Sequence, residues 1–166
     1  MADELKCGTI FEKVAQALLQ AHGHHAERNV WYRKRLFSPD WHQIDLEYYQ
    51  WSLSLAEMRL TKHIIGECKY TRVGRIYLYK SIDQLLENKA FVRADEGILI
   101  TNEKMNGRKE EFSSKFGIHI YDWFVLQQLY QGAGYRLGPT WEGLMKKIRY
   151  NPKKDHKKVE RYIPLF

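Results

Sequence analysis

Two carboxylates and an amine fall on neighbouring strand-like runs in the first half of the chain. Ile44-Asp45-Leu46-Glu47 opens one run, and Ile64-Ile65-Gly66-Glu67-Cys68-Lys69-Tyr70 closes the next. Strand side chains repeat every two residues, so Glu67 and Lys69 share a face while Cys68 packs inward on the other. An antiparallel hairpin centred near Ala56-Glu57 sets Asp45 opposite Glu67 or Cys68. Two acids and an ammonium on one sheet face suit the binding of a divalent cation and the activation of water beside a phosphodiester. The apolar positions change phase, from Ile44, Leu46 and Tyr48 to Trp51, Leu53 and Leu55, which implies a bulge or bend near Tyr48-Tyr49. No Gly, Pro or Asn between Ser52 and Met58 forces the turn.

The elements that must hold these residues follow from periodicity and punctuation. Thr9 to His22 carries Ile10, Phe11, Val14, Ala15, Leu18 and Leu19 at helical spacing, with Thr9 and Glu12 spaced as a capping box and Gly23 as a stop. His25 to Tyr32 reads as a strand, followed by Arg33-Lys34-Arg35 and a turn at Ser38-Pro39-Asp40. The two acid-bearing strands fill roughly 42–55 and 59–71. Ser81 to Ala90 is a second helix, with Ser81 and Gln84 at capping-box spacing. Gly97 to Thr101 is a fully apolar run typical of a buried strand, and a helix over Arg108 to Phe116 ends at Gly117. Ile118 to Tyr121 is a strand, and Asp122 caps a helix through Gln131 that Gly132 stops. A further helix is expected over Trp141 to Ile148. The resulting order predicts an α/β fold, a mixed sheet with helices on both faces.

At 166 residues, with 44% apolar and 14% aromatic content, the chain supports one compact core. We expect a core over 1–132 and a basic C-terminal extension over 133–166. No apolar run reaches the roughly 18 residues that cross a bilayer, and no secretory signal is visible at the start. Cys7 and Cys68 lack metal-ligand spacing, so an intracellular, cytoplasmic setting is expected. His22, His24 and His25 cluster where a helix ends, where histidine suits the helix dipole better than zinc.

Charge is unevenly spread. Residues 131–166 hold nine Lys or Arg against three acids, a net +6 of the total +7. Lys146, Lys147, Arg149, Lys153, Lys154, Lys157 and Lys158 alternate there with Tyr135, Trp141, Tyr150 and Tyr162. Such a segment can follow a phosphate backbone and offer rings for stacking, or be a solvated tail.

With Asp45 and Glu67-Cys68-Lys69 at its centre, the arrangement resembles the PD-(D/E)XK nuclease superfamily. Within it the chain looks most like Holliday-junction resolvases and Mrr-like restriction endonucleases, over about Gly8 to Tyr130. Gly8-Thr9-Ile10-Phe11-Glu12, Gly97-Ile98-Leu99-Ile100-Thr101-Asn102 and Gly117-Ile118-His119-Ile120-Tyr121-Asp122 also carry the resemblance. It implies a restriction-endonuclease-like αβββαβ core and a metal-dependent endonuclease acting on DNA with Mg²⁺, or Mn²⁺ as substitute. It assigns Asp45, Glu67 and the Cys68 carbonyl to the metal, Lys69 to the attacking water, Glu12 to support from the first helix, and Gln84 more weakly. It also implies a homodimer, since cutting two strands needs two sites. Ile44 rather than proline precedes Asp45, and the literal Pro39-Asp40 pair makes Asp40 a competitor; Glu47 could replace or assist Asp45, or be an outer or surface acid. Other readings give Glu67 and Lys69 a plain salt pair, Asp45 an edge-strand charge, and Glu12 and Gln84 caps. At the level of the whole chain, the alternatives are a catalytically inactive nucleic-acid-binding accessory protein on the same fold, and a protein-interaction domain using the aromatic hairpin.

Overall fold

The computed structural model describes residues 2–34, 39–53, 58–71, 78–105, 107–137 and 148–163. In chain order these form α1 (Ala2–Ala21), β1 (Glu27–Arg33), β2 (His42–Leu53), β3 (Met58–Lys69), α2 (Leu78–Val92), β4 (Glu96–Thr101), α3 (Lys109–Phe116), β5 (His119–Tyr121), α4 (Trp123–Leu137), α5 (Pro152–Asp155) and β6 (Val159–Tyr162). Among the described residues the strands make one sheet in the order β5-β4-β3-β2-β1-β6. The β1-β2-β3 meander is antiparallel, whereas β3-β4, β4-β5 and β1-β6 are parallel. This is the expected mixed α/β sheet with helices on both faces.

Two apolar layers hold the helices to the sheet. On one face Phe11, Val14, Leu18 and Leu19 of α1 and Leu126 and Tyr130 of α4 pack on Leu46, Ile64, Ile98 and Ile100. On the other, Ile82, Leu85 and Val92 of α2 and Phe112 of α3 pack on Val30, Ile65, Leu99 and Ile120. β4 is therefore buried on both sides, which explains its unbroken apolar run. The neighbouring even-numbered residues Ile44 and Leu46 fall in different layers. The strand changes face between them, at Asp45. The β1-β2 register leaves Asn29 facing that position, and Asn29 has a left-handed φ of 55°. Asparagine tolerates that conformation better than most residues.

Several expected boundaries are corrected. α1 starts at Ala2, so Thr9 lies buried within the helix and forms no capping box with Glu12. The upstream Asp3-Glu4-Leu5-Lys6 stretch is compatible with helix and simply extends it. Ser81 likewise is a buried residue inside α2, which begins at Leu78. Gly132 does not stop α4, which continues to Leu137. A helical glycine costs only about 1 kcal/mol relative to alanine, and at Gly132 a Cβ would meet His22 at 3.3 Å. Gly117 does terminate α3, at φ 62° with its N–H donating to the Ser113 carbonyl. Asp122 caps α4 as expected, accepting from Val125 N–H at 3.2 Å. The irregularity expected near Tyr48-Tyr49 is a register shift between Gln50 and Trp51.

The boundary expected at 132/133 falls inside α4, and β6, from the expected extension, pairs with β1 from Val30↔Val159 to Arg33↔Tyr162. The hairpin turn at 54–57, the first part of the Ser38-Pro39-Asp40 turn and nearly all of the helix expected over 141–148 lie outside the described residues.

Leu99 has no exposed surface and joins β3 to β5 through the centre of the sheet. Leu99→Ala is expected to lower unfolding free energy by about 2–5 kcal/mol, read from the urea midpoint at unchanged slope.

Candidate metal centre

The β2-β3 register pairs Leu46 with Gly66, which sets Asp45 opposite Glu67 where the two strands part. Asp45 Oδ2 accepts the Cys68 N–H at 2.9 Å, so a side chain completes a ladder that the β2 backbone no longer reaches. The N–H and C=O of one strand residue leave by the same edge. The Cys68 carbonyl therefore faces the Asp45 gap, while its thiol side is buried in the α1 layer.

Glu67 is 1% exposed. Its Oε1 makes no hydrogen bond of good geometry among the described residues, although Lys69 Nζ lies 2.5 Å away as an ion-pair partner. Lys69 Nζ also donates to Gln84 Oε1 of α2 at 3.4 Å. From the opposite side α1 supplies Glu12, whose Oε2 accepts from Arg28 Nη1 at 3.0 Å. The structure thus brings Asp45, Glu67, Lys69, Glu12 and Gln84 to one end of the sheet. Glu12 and Gln84 arrive from helix interiors, so capping does not account for them.

These acids repel one another. Burial, then the Asp45 charge, pushes Glu67 up to about 8 against the opposing pull of Lys69. Burial and Asp45 push Glu12 up to about 7 against Arg28. Asp45 is also raised, by burial, with the Cys68 N–H and Lys69 opposing. Burial would lower Lys69, yet Glu67 and Asp45 outweigh it and raise the amine. Were all three carboxylates ionised they would face two cations, Lys69 and Arg28, and leave surplus negative charge in a poorly hydrated place. That is the electrostatic setting a divalent cation relieves. Among the described residues no three His, Cys, Asp or Glu side chains form a ready-made metal cluster. The set that fits is two carboxylates and a main-chain carbonyl, with Glu12 flanking.

Asp40 stands apart. It is exposed and lines a different cleft with Lys34, His42 and Glu87. Glu47 is not a surface acid: it is 1% exposed and bonded within a separate network. Arg28 and Asp155 are residues that sequence reasoning missed. Asp155 lies 2.9 Å from Lys13 Nζ and 3.6 Å from Arg28 Nη2, joining α5 to the Glu12-Arg28 pair. Burial would raise Asp155, but the Asn151 N–H and Lys13 win and lower it. A lone acid in a lysine-rich run gave no signal of that role.

The basic residues divide. Arg149, Lys153, Lys154, Lys157 and Lys158 are exposed around α5, close to α1 through Lys13, whose Nζ donates to the Arg149 carbonyl at 2.6 Å. Arg33 ends β1 and Lys34 follows it, whereas Arg35, Lys146 and Lys147 lie outside the described residues.

No family model matches the chain, and no curated protein does. Two solved structures are similar. One is the crystal structure of a protein of unknown function, AF1548, at 16% identity and TM-score 0.53, covering 88% of this chain and 92% of that one. The other is the MspJI restriction endonuclease in complex with a 27-mer oligonucleotide, at 13% identity and TM-score 0.51. That match covers 97% of this chain but 33% of the larger protein. The chain has a restriction-endonuclease-like α/β fold.

Glu12 and Asp45 are raised as well and lose stability in the same sense as pH rises, so comparison with Glu67→Gln is what singles out the buried Glu67. With Glu67 raised to about 8, the metal-free native state keeps a proton that the unfolded chain releases near 4.5. Stability from this group is complete below about 4.5 and is lost as pH rises toward 8. Glu47 and Asp155, held low, act in the opposite sense and below that window. The melting temperature of wild type relative to Glu67→Gln is therefore expected to fall steadily from pH 5 to 8. A pH-independent difference would show that Glu67 ionises normally.

Proposed function

We propose that the protein is a divalent-metal-dependent endonuclease acting on DNA, with Mg²⁺ as cofactor and Mn²⁺ as substitute. The observation that carries this reading is the convergence of Asp45, Glu67 and Lys69 where β2 and β3 part, within a restriction-endonuclease-like fold. Similarity to a restriction endonuclease solved with an oligonucleotide supports it.

Asp45, Glu67 and the Cys68 carbonyl would hold the cation, which when bound supplies a water of lowered pKa and neutralises charge on the scissile phosphate. Lys69, kept charged by Glu67 and steadied by Gln84, orients that water and faces the charge developing on the phosphoryl oxygens. Arg28 fixes Glu12 beside the acids, and Asp155 fixes Arg28. The exposed lysines around α5 extend the positive surface along the duplex. Two copies acting together would cut both strands.

Purified protein is expected to nick or cut linear or branched DNA with Mg²⁺ or Mn²⁺ and not with chelator. Glu67→Ala and Lys69→Ala should each lower the single-turnover rate by at least about 100-fold, the scale of a lost general acid-base or charge-stabilising group. Metal-dependent cleavage unchanged in Glu67→Ala would reject the assignment of the site, whereas binding without cleavage, unaffected by Glu67→Ala, would leave nucleic-acid binding as the function.

Replacing Lys153, Lys154, Lys157 and Lys158 by Gln leaves Asp155 and β6 in place. If all four lysines meet phosphates, the slope of log affinity against log salt should flatten by roughly 3 to 4. An unchanged slope would move the DNA path away from α5.

A further inference from the structure

A second constellation lies apart from the acids at Asp45. Glu47, buried on the α2 side of β2, accepts at Oε1 from His63 Nε2 at 2.6 Å, from Tyr49 at 3.2 Å and from Tyr32. Arg161 Nε of β6 stands 3.0 Å from its Oε2. A carboxylate only accepts, so His63 Nε2 carries the hydrogen and Nδ1 is left for another partner. Tyr49 stacks on the His63 ring at 4.7 Å between centroids and 14° between planes.

The partners of Glu47 (Tyr32, Tyr49, His63 and Arg161) wall an open cleft of about 540 Å³, completed by Val92, Glu160, Tyr162 and Ile163. The volume is in the range of small-molecule sites, and the walls combine aromatic rings with polar groups. At its rim Tyr162 is 48% exposed. Arg33 lies between Tyr162 and Trp41, with its guanidinium carbon 4.9 and 4.5 Å from the two ring centroids. Arg33 Nε is a buried donor with no hydrogen-bond partner among the described residues. Lys158 sits over Trp31 one strand pairing away, at 3.9 Å.

We propose that this cleft is a nucleotide subsite, taking an unpaired base against its tyrosine rings and His63, with the phosphate at Arg33. A planar heterocycle stacks on such rings whatever its sequence, and its edge can meet His63. Glu160, an exposed lining residue, would repel a phosphate beside it, which favours Arg33. Asp45 and Glu47 are two residues apart on β2, roughly 7 Å. Stacked nucleotides advance about 3.4 Å each, so the cleft lies within a few nucleotides of the proposed cutting position. The inference rests on the nucleic-acid reading above but not on cleavage.

The test is equilibrium binding, with chelator present, of dTMP, thymidine, inorganic phosphate and a single-stranded oligonucleotide carrying one 2-aminopurine. Wild type and Glu67→Ala are expected to bind dTMP alike and to quench the oligonucleotide. Tyr162→Ala should weaken both by about tenfold, the scale of one lost base stack, while Tyr162→Phe retains binding and shows that β6 is still seated. Arg33→Gln should weaken dTMP but not thymidine. Binding of the oligonucleotide but not dTMP would still support the subsite, as one reached only along a strand, provided Tyr162→Ala abolishes the quench. Binding indifferent to Tyr162→Ala, or binding of phosphate as tight as dTMP, would overturn it. Cleavage lost without change here would sink the nuclease reading alone.

Discussion

The organising constraint is a collection of like charges that the fold forces together. Asp45 and Glu67 face each other because the register pairs Leu46 with Gly66, and α1 adds Glu12. Left to themselves such groups would separate or stay protonated, and burial raises all three. What keeps them in place is geometry supplied elsewhere: the Cys68 N–H on Asp45, Lys69 on Glu67 and Arg28 on Glu12. Two of these restraints come from β3 and the third from β1, so β2, β3, β1 and α1 must all be in register for the site to exist. Strain of this kind is costly to stability and characteristic of functional sites.

The C-terminal segment is part of that arrangement. Asp155 of α5 bridges Lys13 and Arg28, and Arg161 of β6 bridges Glu27 and Glu47. The same segment that carries most of the net positive charge is thereby tied to the start of β1, to β2 and to α1. Lys13 holds it beside α1 through the Arg149 carbonyl and Asp155.

The order of elements was legible because apolar periodicity and buried strands dominate this sequence; β4 and the α1 stripe are clear in the residues themselves. The opposition of Asp45 and Glu67 was legible from hairpin arithmetic, which tolerates an unknown turn as long as the register near the strand ends is simple. The capping boxes misled because Thr9 and Ser81 have the right neighbours at three residues' distance, yet helix-compatible residues precede them and the helices begin earlier. Glu47 was misjudged for a related reason: strand alternation puts it on the face of Asp45, but the backbone changes face opposite Asn29 and sends it into a buried network. Long-range ion pairs such as Arg28 with Asp155 leave no local trace at all.

The most direct measurement is calorimetric titration of the full chain with Mn²⁺ at pH 7.5, alongside Glu67→Gln and Asp45→Asn. Saturable binding to wild type that is lost in both variants is the predicted result, because the buried acids need a cation to ionise together. Absence of saturable binding, or equal binding by all three proteins, would contradict the account.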